Sequence, residues 1–187
     1  MDIKKYQEIV ILAESSREKL EQLDIPYSRS DLNPVMSEAT LDYHYGKLAR
    51  AYVDRYNKKE GDDDFNYGGA VLHNIFFPQL KSPAVGNKPA GACLDLINKR
   101  WKTFDAFKEE VSKIAMGIQG SGWVYMDTAG EIKTIKNHEY RKGMKIALLI
   151  DWWEHSWFTD YGPDKAKYLK NIWRIINWDV VNIRLGS

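Results

Sequence analysis

Little in the sequence ties this chain to an oxidising compartment, to nucleic acid or to a membrane. Cys93 is the only cysteine, so no intrachain disulfide can form, as is usual in a reducing environment. The 27 Lys and Arg residues nearly balance the 26 Asp and Glu residues, and a net charge of +1 gives no strong field for nucleic acid or a membrane surface. The N-terminus is charged where a signal peptide is apolar, and Ile9–Ala13 is too short to span a bilayer. We therefore expect a cytoplasmic or otherwise intracellular protein without nucleic-acid or membrane partners.

The first half of the chain is predicted to be helical. Residues 2–23 place apolar side chains loosely on one helix face. Ser37 is suited to cap a longer helix that ends near Lys58. A polar turn over 58–64 should then lead into a second helix over 68–77. Together these segments predict a helical hairpin.

The second half is predicted to mix helices and strands. The stretch 83–91 contains Pro and Gly and is the predicted linker, which divides the chain into an N-terminal extension and hairpin domain, 1–82, and a C-terminal domain, 83–187. The C-terminal domain should contain two helices, then three β-rich runs that we interpret as an antiparallel meander, then a last helix. The expected bounds are 92–100 and 104–117 for the two helices, 123–127, 131–136 and 144–150 for the strands, and 163–184 for the last helix. The predicted fold class is α+β, a helical hairpin followed by an α/β domain with a three-stranded antiparallel sheet.

The most informative stretch is Asp151-Trp152-Trp153-Glu154-His155. A carboxylate and an imidazole four positions apart, near a strand end or on a first helical turn, can point at one place and together suit a borderline metal ion. His44 and His73 lie in similar aromatic-rich segments. A histidine taken alone is more often structural than a ligand, and we interpret His138 as an ordinary structural or surface residue. For the motif itself, the alternative to a metal site is a buried ion pair in an aromatic core.

Three motifs, in this order, resemble the iron/manganese superoxide dismutase family. They are Gln119-Gly120-Ser121-Gly122-Trp123, Asp151-Trp152-Trp153-Glu154-His155 and Asn177-Trp178, and the resemblance runs from about Ile25 to Arg184. It implies one Mn or Fe ion per chain and the conversion of superoxide to dioxygen and hydrogen peroxide by a homodimer. The implied metal ligands are His44, His73, Asp151 and His155.

The resemblance also implies roles for residues around the ion. Gln119 would hydrogen-bond the metal-bound solvent, with Gly69 leaving space for it. Tyr52 would gate anion entry and proton delivery, and Trp123 and Trp153 would be walls of the cavity. Ordinary alternatives are a loop residue for Gln119 and core packing for the three aromatic residues.

Charged residues complete the implied site. Lys47 and Arg184 would draw the anion inward, with scattered surface charge as the alternative. Glu154 would reach His155 of the partner subunit across a twofold axis.

The sequence departs from the family pattern at the entrance to the site. Leu48 stands where the family usually has a histidine, Phe158 replaces a tyrosine of the dimer interface, and Phe77 replaces a frequent tryptophan. The interval between the first two histidine ligands is short, and residues 1–23 form an extension that could dock in a larger assembly. These departures keep open the alternative of a structural or interaction protein with reduced or no activity. A third alternative is a non-redox zinc enzyme on the same four ligands.

Overall fold

The N-terminal half forms two helical segments that pack on each other. The computed structural model describes residues 19–186. Most of the predicted helix over 2–23 lies outside this range, and its described end, 19–23, has no regular secondary structure. The first helical segment consists of α1 (Glu38–Tyr43), a π-helical turn (His44–Ala49) and α2 (Arg50–Lys58). The second is α3 (Asp63–Phe76), followed by a 3₁₀ turn (Phe77–Gln79).

Side-chain caps explain where these helices begin. The Ser37 hydroxyl accepts a hydrogen bond from the Thr40 amide, as expected. The Asp62 carboxylate accepts one from the Phe65 amide at 2.7 Å, so α3 starts five residues before the predicted position. The prediction of a polar turn over 58–64 was therefore wrong at its end. Asp62 is a helix cap, and the acidic first turn that follows it suits the positive end of the helix dipole.

The C-terminal half contains a three-stranded sheet covered by helices. Its elements are α4 (Gly91–Trp101), α5 (Phe104–Met116), β1 (Gly122–Asp127), β2 (Ile132–Lys136), β3 (Ile146–Asp151), a 3₁₀ turn (Glu154–Ser156), α6 (Phe158–Tyr161), α7 (Lys165–Ile172) and α8 (Trp178–Arg184). The predicted α+β class with a three-stranded antiparallel sheet is confirmed.

The strand order differs from the predicted meander. It is β2-β1-β3, so β1 is central and antiparallel to both neighbours. The physical reason lies in the side chains, because β1 and β3 are almost entirely buried whereas Lys133, Thr134 and Lys136 of β2 are exposed. A strand with such polar residues is tolerated at an edge and not in the centre of the sheet.

The single last helix was also predicted wrongly. The chain between α7 and α8 leaves the helical path, and Ile176 forms a β-bridge with Leu80. The Asn177 amide donates to the carbonyl of Gln79, and the Asn177 side chain caps α8. This break ties the C-terminal helices to the end of the hairpin.

One hydrophobic core runs through both halves. It joins Phe76 and Phe77, at the end of the hairpin, to Trp123 of β1, Leu149 of β3 and Val181 of α8. The division at residue 83 stays a prediction. Among residues 19–186, no helix combines the length and apolarity needed to cross a bilayer.

Candidate metal centre

Four side chains from separate elements meet where the hairpin contacts the sheet. His44 comes from the π-helical turn, His73 from α3, Asp151 from the last position of β3, and His155 from the 3₁₀ turn that follows. One ligand atom from each lies within 4.8 Å of the others. The first three side chains are essentially inaccessible to solvent, and the His155 side chain is 12% exposed. The structure thus brings together all four predicted ligands.

The Asp151 carboxylate is at the middle of the group. Its Oδ2 atom lies 3.1 Å from Nε2 of His44, 3.6 Å from Nε2 of His73 and 3.5 Å from Nε2 of His155. The other oxygen, Oδ1, accepts a hydrogen bond of 2.8 Å from the Trp153 amide, which fixes the orientation of the carboxylate. One oxygen is therefore held by the backbone while the other faces three imidazoles.

The hydrogen bonds leave the right atoms free for a cation. His73 Nδ1 lies 2.6 Å from the Gly69 carbonyl, so Nδ1 carries the proton and Nε2 has a free lone pair. His73 Nε2 is 3.0 Å from His44 Nε2. Asp151 Oδ2 and His155 Nε2 are buried and have no hydrogen-bond partner among residues 19–186. Unpaired buried acceptors are unfavourable, and a shared cation satisfies all of them, so these residues fit a metal ion.

Burial sets the protonation states of the ligands. Desolvation, with a smaller contribution from His155, lowers the pKa of His44 from 6.5 to about 4. Burial next to His44 also lowers the pKa of His73 well below 6.5. For Asp151 burial acts to raise the pKa, but His155 and His44 outweigh it and leave this pKa well below 3.8. At neutral pH the group therefore contains a carboxylate with neutral His44 and His73, the states in which these side chains bind metals.

Aromatic rings enclose the four ligands. The Tyr52 ring stacks on the His73 ring at a centroid distance of 5.5 Å, and the Trp123 ring contacts His73 edge-on at 5.0 Å. The Phe77 ring lies 4.7 Å from the His44 ring, and the Trp153 ring lies 5.6 Å from the His155 ring. The structure places Tyr52, Trp123 and Trp153 beside the ligands, and their roles as gate and cavity walls stay predictions. Burial, followed by the charge of Asp151, raises the pKa of Tyr52 to about 12.

His138 also belongs to the centre, although its sequence context predicted an ordinary structural or surface residue. Only 1% of the residue is exposed, its Nδ1 atom lies 3.2 Å from the indole nitrogen of Trp123, and its ring is 4.7 Å from the Tyr52 ring. The indole N–H can only donate, so Nδ1 accepts and the proton of the neutral imidazole is on Nε2. Within the described chain, this Nε2 is buried without a hydrogen-bond partner.

A correct strand order would have revealed His138. Trp123, near the start of β1, is opposite Ile135 on β2 and Asp151 on β3. The start of β1 and the last residues of both neighbouring strands therefore lie at the same end of the sheet. His138 follows β2 at that same end of the sheet. In a meander the last residue of β3 would lie at the opposite end, and Asp151 would be far from His138.

The structure does not bring Gln119 to the centre. Its side chain is exposed in the turn between α5 and β1. Gly69 does leave space, but the occupant is the Tyr52 ring, which would lie 2.7 Å from a Cβ atom added at position 69. The prediction that Gly69 makes room for Gln119 is therefore wrong, because Tyr52 fills that space.

The charged residues of the implied site are not part of the ligand cluster, and neither are Leu48 and Phe158, two of the departures from the family pattern. Lys47, Glu154 and Phe158 are exposed, and Leu48 is half-buried. The Arg184 guanidinium donates to the Ile75 carbonyl at 2.7 Å and to Gln79 Oε1 at 3.0 Å, so it ties α8 to the end of the hairpin. Anion steering by Lys47 and Arg184 and the contact of Glu154 with a partner stay predictions.

Comparison with known proteins agrees with the geometry of the centre. Residues 19–64 match the model of the α-hairpin domain of iron/manganese superoxide dismutases, and residues 89–184 match that of their C-terminal domain. The chain is 34% identical to "Superoxide dismutase [Fe]" of Bacteroides fragilis over 186 residues, which covers 86% of this chain and 96% of the relative. It is 32% identical to "Superoxide dismutase [Mn/Fe]" of Porphyromonas gingivalis, with 88% and 98% covered, and to "Superoxide dismutase [Fe]" of Pyrobaculum aerophilum, with 86% and 89% covered. With both domain models matched and four converging ligands, the chain belongs to the iron/manganese superoxide dismutase family.

Proposed function

We propose that this protein is a superoxide dismutase that binds one Fe or Mn ion per chain and converts superoxide to dioxygen and hydrogen peroxide. The observation that carries the proposal is the convergence of His44, His73, Asp151 and His155. Asp151 Oδ2 and His155 Nε2 are buried there with no hydrogen-bond partner in the described part of the chain. An ion held by these four side chains would supply one-electron chemistry, because it can alternate between the +2 and +3 states. Histidine and carboxylate ligands suit both oxidation states.

The protein must hold the ligands in their metal-binding states. The Gly69 carbonyl keeps the proton of His73 on Nδ1, and the Trp153 amide holds Asp151 in place. Such contacts behind the ligands fix their orientation before a metal binds. Their exclusion from solvent limits entry to small species, which fits superoxide as substrate.

Tyr52 and His138 are the proposed carriers of protons next to the ion. Peroxide formation consumes two protons, so donors are needed beside the reacting oxygen atoms. Because the pKa of Tyr52 is raised to about 12, its hydroxyl stays protonated at neutral pH. His138 presents a buried Nε2–H that has no partner among the described residues, and a solvent molecule or anion in the centre would accept from it. We therefore assign the solvent-bonding role to His138 instead of Gln119.

The entrance supports a slower proton supply. Leu48 lies one helical turn after His44, and Phe158 is exposed on α6; neither side chain can donate or relay a proton. Tyr52, His138 and solvent then carry the delivery. We expect activity that is limited in the half-reaction that makes peroxide.

We further propose a homodimer. Glu154 is exposed beside His155, and the large aromatic residues Tyr43 and Phe158 are 48% and 56% exposed. They belong to α1 and α6, which contact each other. An exposed carboxylate with nearby aromatic rings suits a self-complementary twofold contact. An intracellular location and docking through residues 1–23 stay predictions, and residues 1–18 lie outside the described structure.

The test combines metal analysis with superoxide decay measured by pulse radiolysis. We expect about one Fe or Mn per chain and second-order removal of superoxide that saturates at high superoxide concentration. The Asp151→Asn variant should lose both the metal and the activity. The control variant Gln119→Ala, which changes an exposed side chain, should lose neither. Tight binding of zinc without dismutation, or a metal-loaded protein that leaves superoxide untouched, would contradict the proposal and favour the zinc or structural alternative.

A further inference from the structure

Two adjacent glycines occupy the interior of α3, where glycine is unfavourable. Gly68 and Gly69 are buried and lie within the helix Asp63–Phe76. Neither has a positive φ, so left-handed backbone geometry does not explain them. Glycine weakens a helix interior because it loses more conformational freedom on folding than alanine. The reason for these residues is therefore space.

The space at Gly68 is filled by the backbone of His138. A Cβ atom at position 68 would lie 1.9 Å from the His138 carbonyl oxygen and 3.0 Å from its carbon. Tyr140 Cβ would lie 3.3 Å away on the same side. Both of the nearest atoms belong to the main chain, which cannot rotate aside like the end of a flexible side chain.

Contacts on the other side hold His138 against the helix. Its carbonyl oxygen accepts a hydrogen bond from the Tyr140 amide at 2.6 Å. Its ring stacks on Trp153 with a centroid distance of 4.5 Å, and its Nδ1 accepts from Trp123 at 3.2 Å. The ring is thus fixed by the sheet and the backbone by the helix. Moving the carbonyl away from α3 would pull the ring out of this arrangement.

We propose that Gly68 is a positioning residue of the metal centre: its missing side chain lets α3 touch the His138 backbone, and this contact holds the His138 ring beside the metal ligands. The inference rests on the proposed function for its catalytic consequence. Any side chain at position 68 would push the carbonyl back by about 1 Å or more to reach the 3.0 Å below which Cβ contacts essentially never occur. A shift of this size at a reacting centre can reduce the rate by about 100-fold.

The test uses Gly68→Ala with Gly117→Ala as the matched control. Gly117, at the end of α5, has only ordinary contacts of 3.4 Å or more around an added Cβ. In the metal-free protein, the ¹⁵N and ¹H ring signals of His138 should shift in Gly68→Ala and stay in place in Gly117→Ala. In the loaded protein, Gly68→Ala should keep its metal content, change the optical spectrum of the bound ion and lower turnover by about 10- to 100-fold.

A double-variant experiment separates positioning from general stability. In a His138→Ala background the ring is gone but the carbonyl remains, so Gly68→Ala should still lower the melting temperature. It should not lower turnover further. An equal loss of turnover in both backgrounds, or native His138 ring signals in Gly68→Ala, would overturn the proposal.

A measurement on the native protein covers the case in which Gly68→Ala does not fold. The Tyr140 amide, bonded to the seated His138 carbonyl, should exchange with deuterium as slowly as amides of β1. Exchange at the rate of an open loop would refute the contact. The ring signals of His138 and the amide exchange of Tyr140 can be measured whether or not the protein is a dismutase. A protein without dismutase activity would refute the proposed function, and these two measurements would still test the positioning by Gly68.

Discussion

Lowering the pH should strongly destabilise the metal-free protein between pH 6.5 and about 4. Burial is the main cause that lowers the pKa of His44 and of His138 from 6.5 to about 4. Between these values an unfolded histidine binds a proton that the folded protein does not. The unfolded state therefore binds more protons, and the free energy of unfolding falls as the pH falls. The folded state therefore keeps its full free energy of unfolding above pH 6.5, the pKa of an unfolded histidine, and loses it progressively as the pH falls below that value.

The size of the effect follows from the two shifts. For each histidine, a pKa lowered from 6.5 to about 4 reduces the free energy of unfolding by about 3 kcal/mol once the pH is below both values. About 2.5 kcal/mol of this reduction is reached at pH 4.5. The pair together should lower the free energy of unfolding by about 5 kcal/mol. Small domains have only about 5–15 kcal/mol in total, so the metal-free protein should be close to unfolding at this pH. His73 acts in the same direction.

Urea denaturation followed by tryptophan fluorescence provides the assay. The metal-free protein is measured at several pH values from about 7.5 to 4.5, and the urea dependence is checked to be constant. His138→Gln removes one of the titrating groups and should reduce the pH dependence by about 2.5 kcal/mol. If the free energy of unfolding of the unsubstituted protein changes by less than about 1 kcal/mol over this pH range, His44 and His138 are not buried, neutral imidazoles and the assignment is refuted.

Four further outcomes are expected. Asp151→Asn should abolish most metal binding and, in the presence of Fe or Mn, lower the melting temperature, because ion binding is linked to folding; unchanged metal content would contradict the central place of the carboxylate. Gln119→Ala should leave metal content, optical spectrum and turnover unchanged, since Gln119 is exposed, and an altered spectrum would restore its predicted contact with the solvent. Leu48→His should speed the peroxide-forming half-reaction in pulse radiolysis, and equal rates in both proteins would show that no relay is missing there. Glu154→Ala should raise the dimer dissociation constant at least about tenfold in sedimentation equilibrium, whereas a native monomer would refute the homodimer.

The ligand set could be predicted from the sequence because its signals are local. The motif from Asp151 to His155 and the segments around His44 and His73 resemble the iron/manganese superoxide dismutase family, and that resemblance implied four ligands whose ligand atoms the structure places within 4.8 Å of one another. The helix start near Ser37 followed from another local signal, a capping side chain.

The missed features depend on contacts between distant parts of the chain. The strand order required weighing the polar residues of β2 against the apolar β3. Because the meander was assumed, His138 could not be placed beside Trp123 and Asp151, and Gln119 was chosen from its motif alone. The role of Gly68 depends on a backbone contact with a residue 70 positions later, which no local pattern encodes. Sequence motifs therefore predicted the ligands, while the groups that orient and surround them came from the tertiary structure.

Anomalous X-ray diffraction from crystals of the purified protein, collected on both sides of the Fe and Mn absorption edges, tests the central claim most directly. We expect one strong anomalous peak per chain, of iron or manganese, within bonding distance of His44 Nε2, His73 Nε2, Asp151 Oδ2 and His155 Nε2. The absence of such a peak, a zinc peak in its place, or a metal bound without any one of the four side chains would contradict the account.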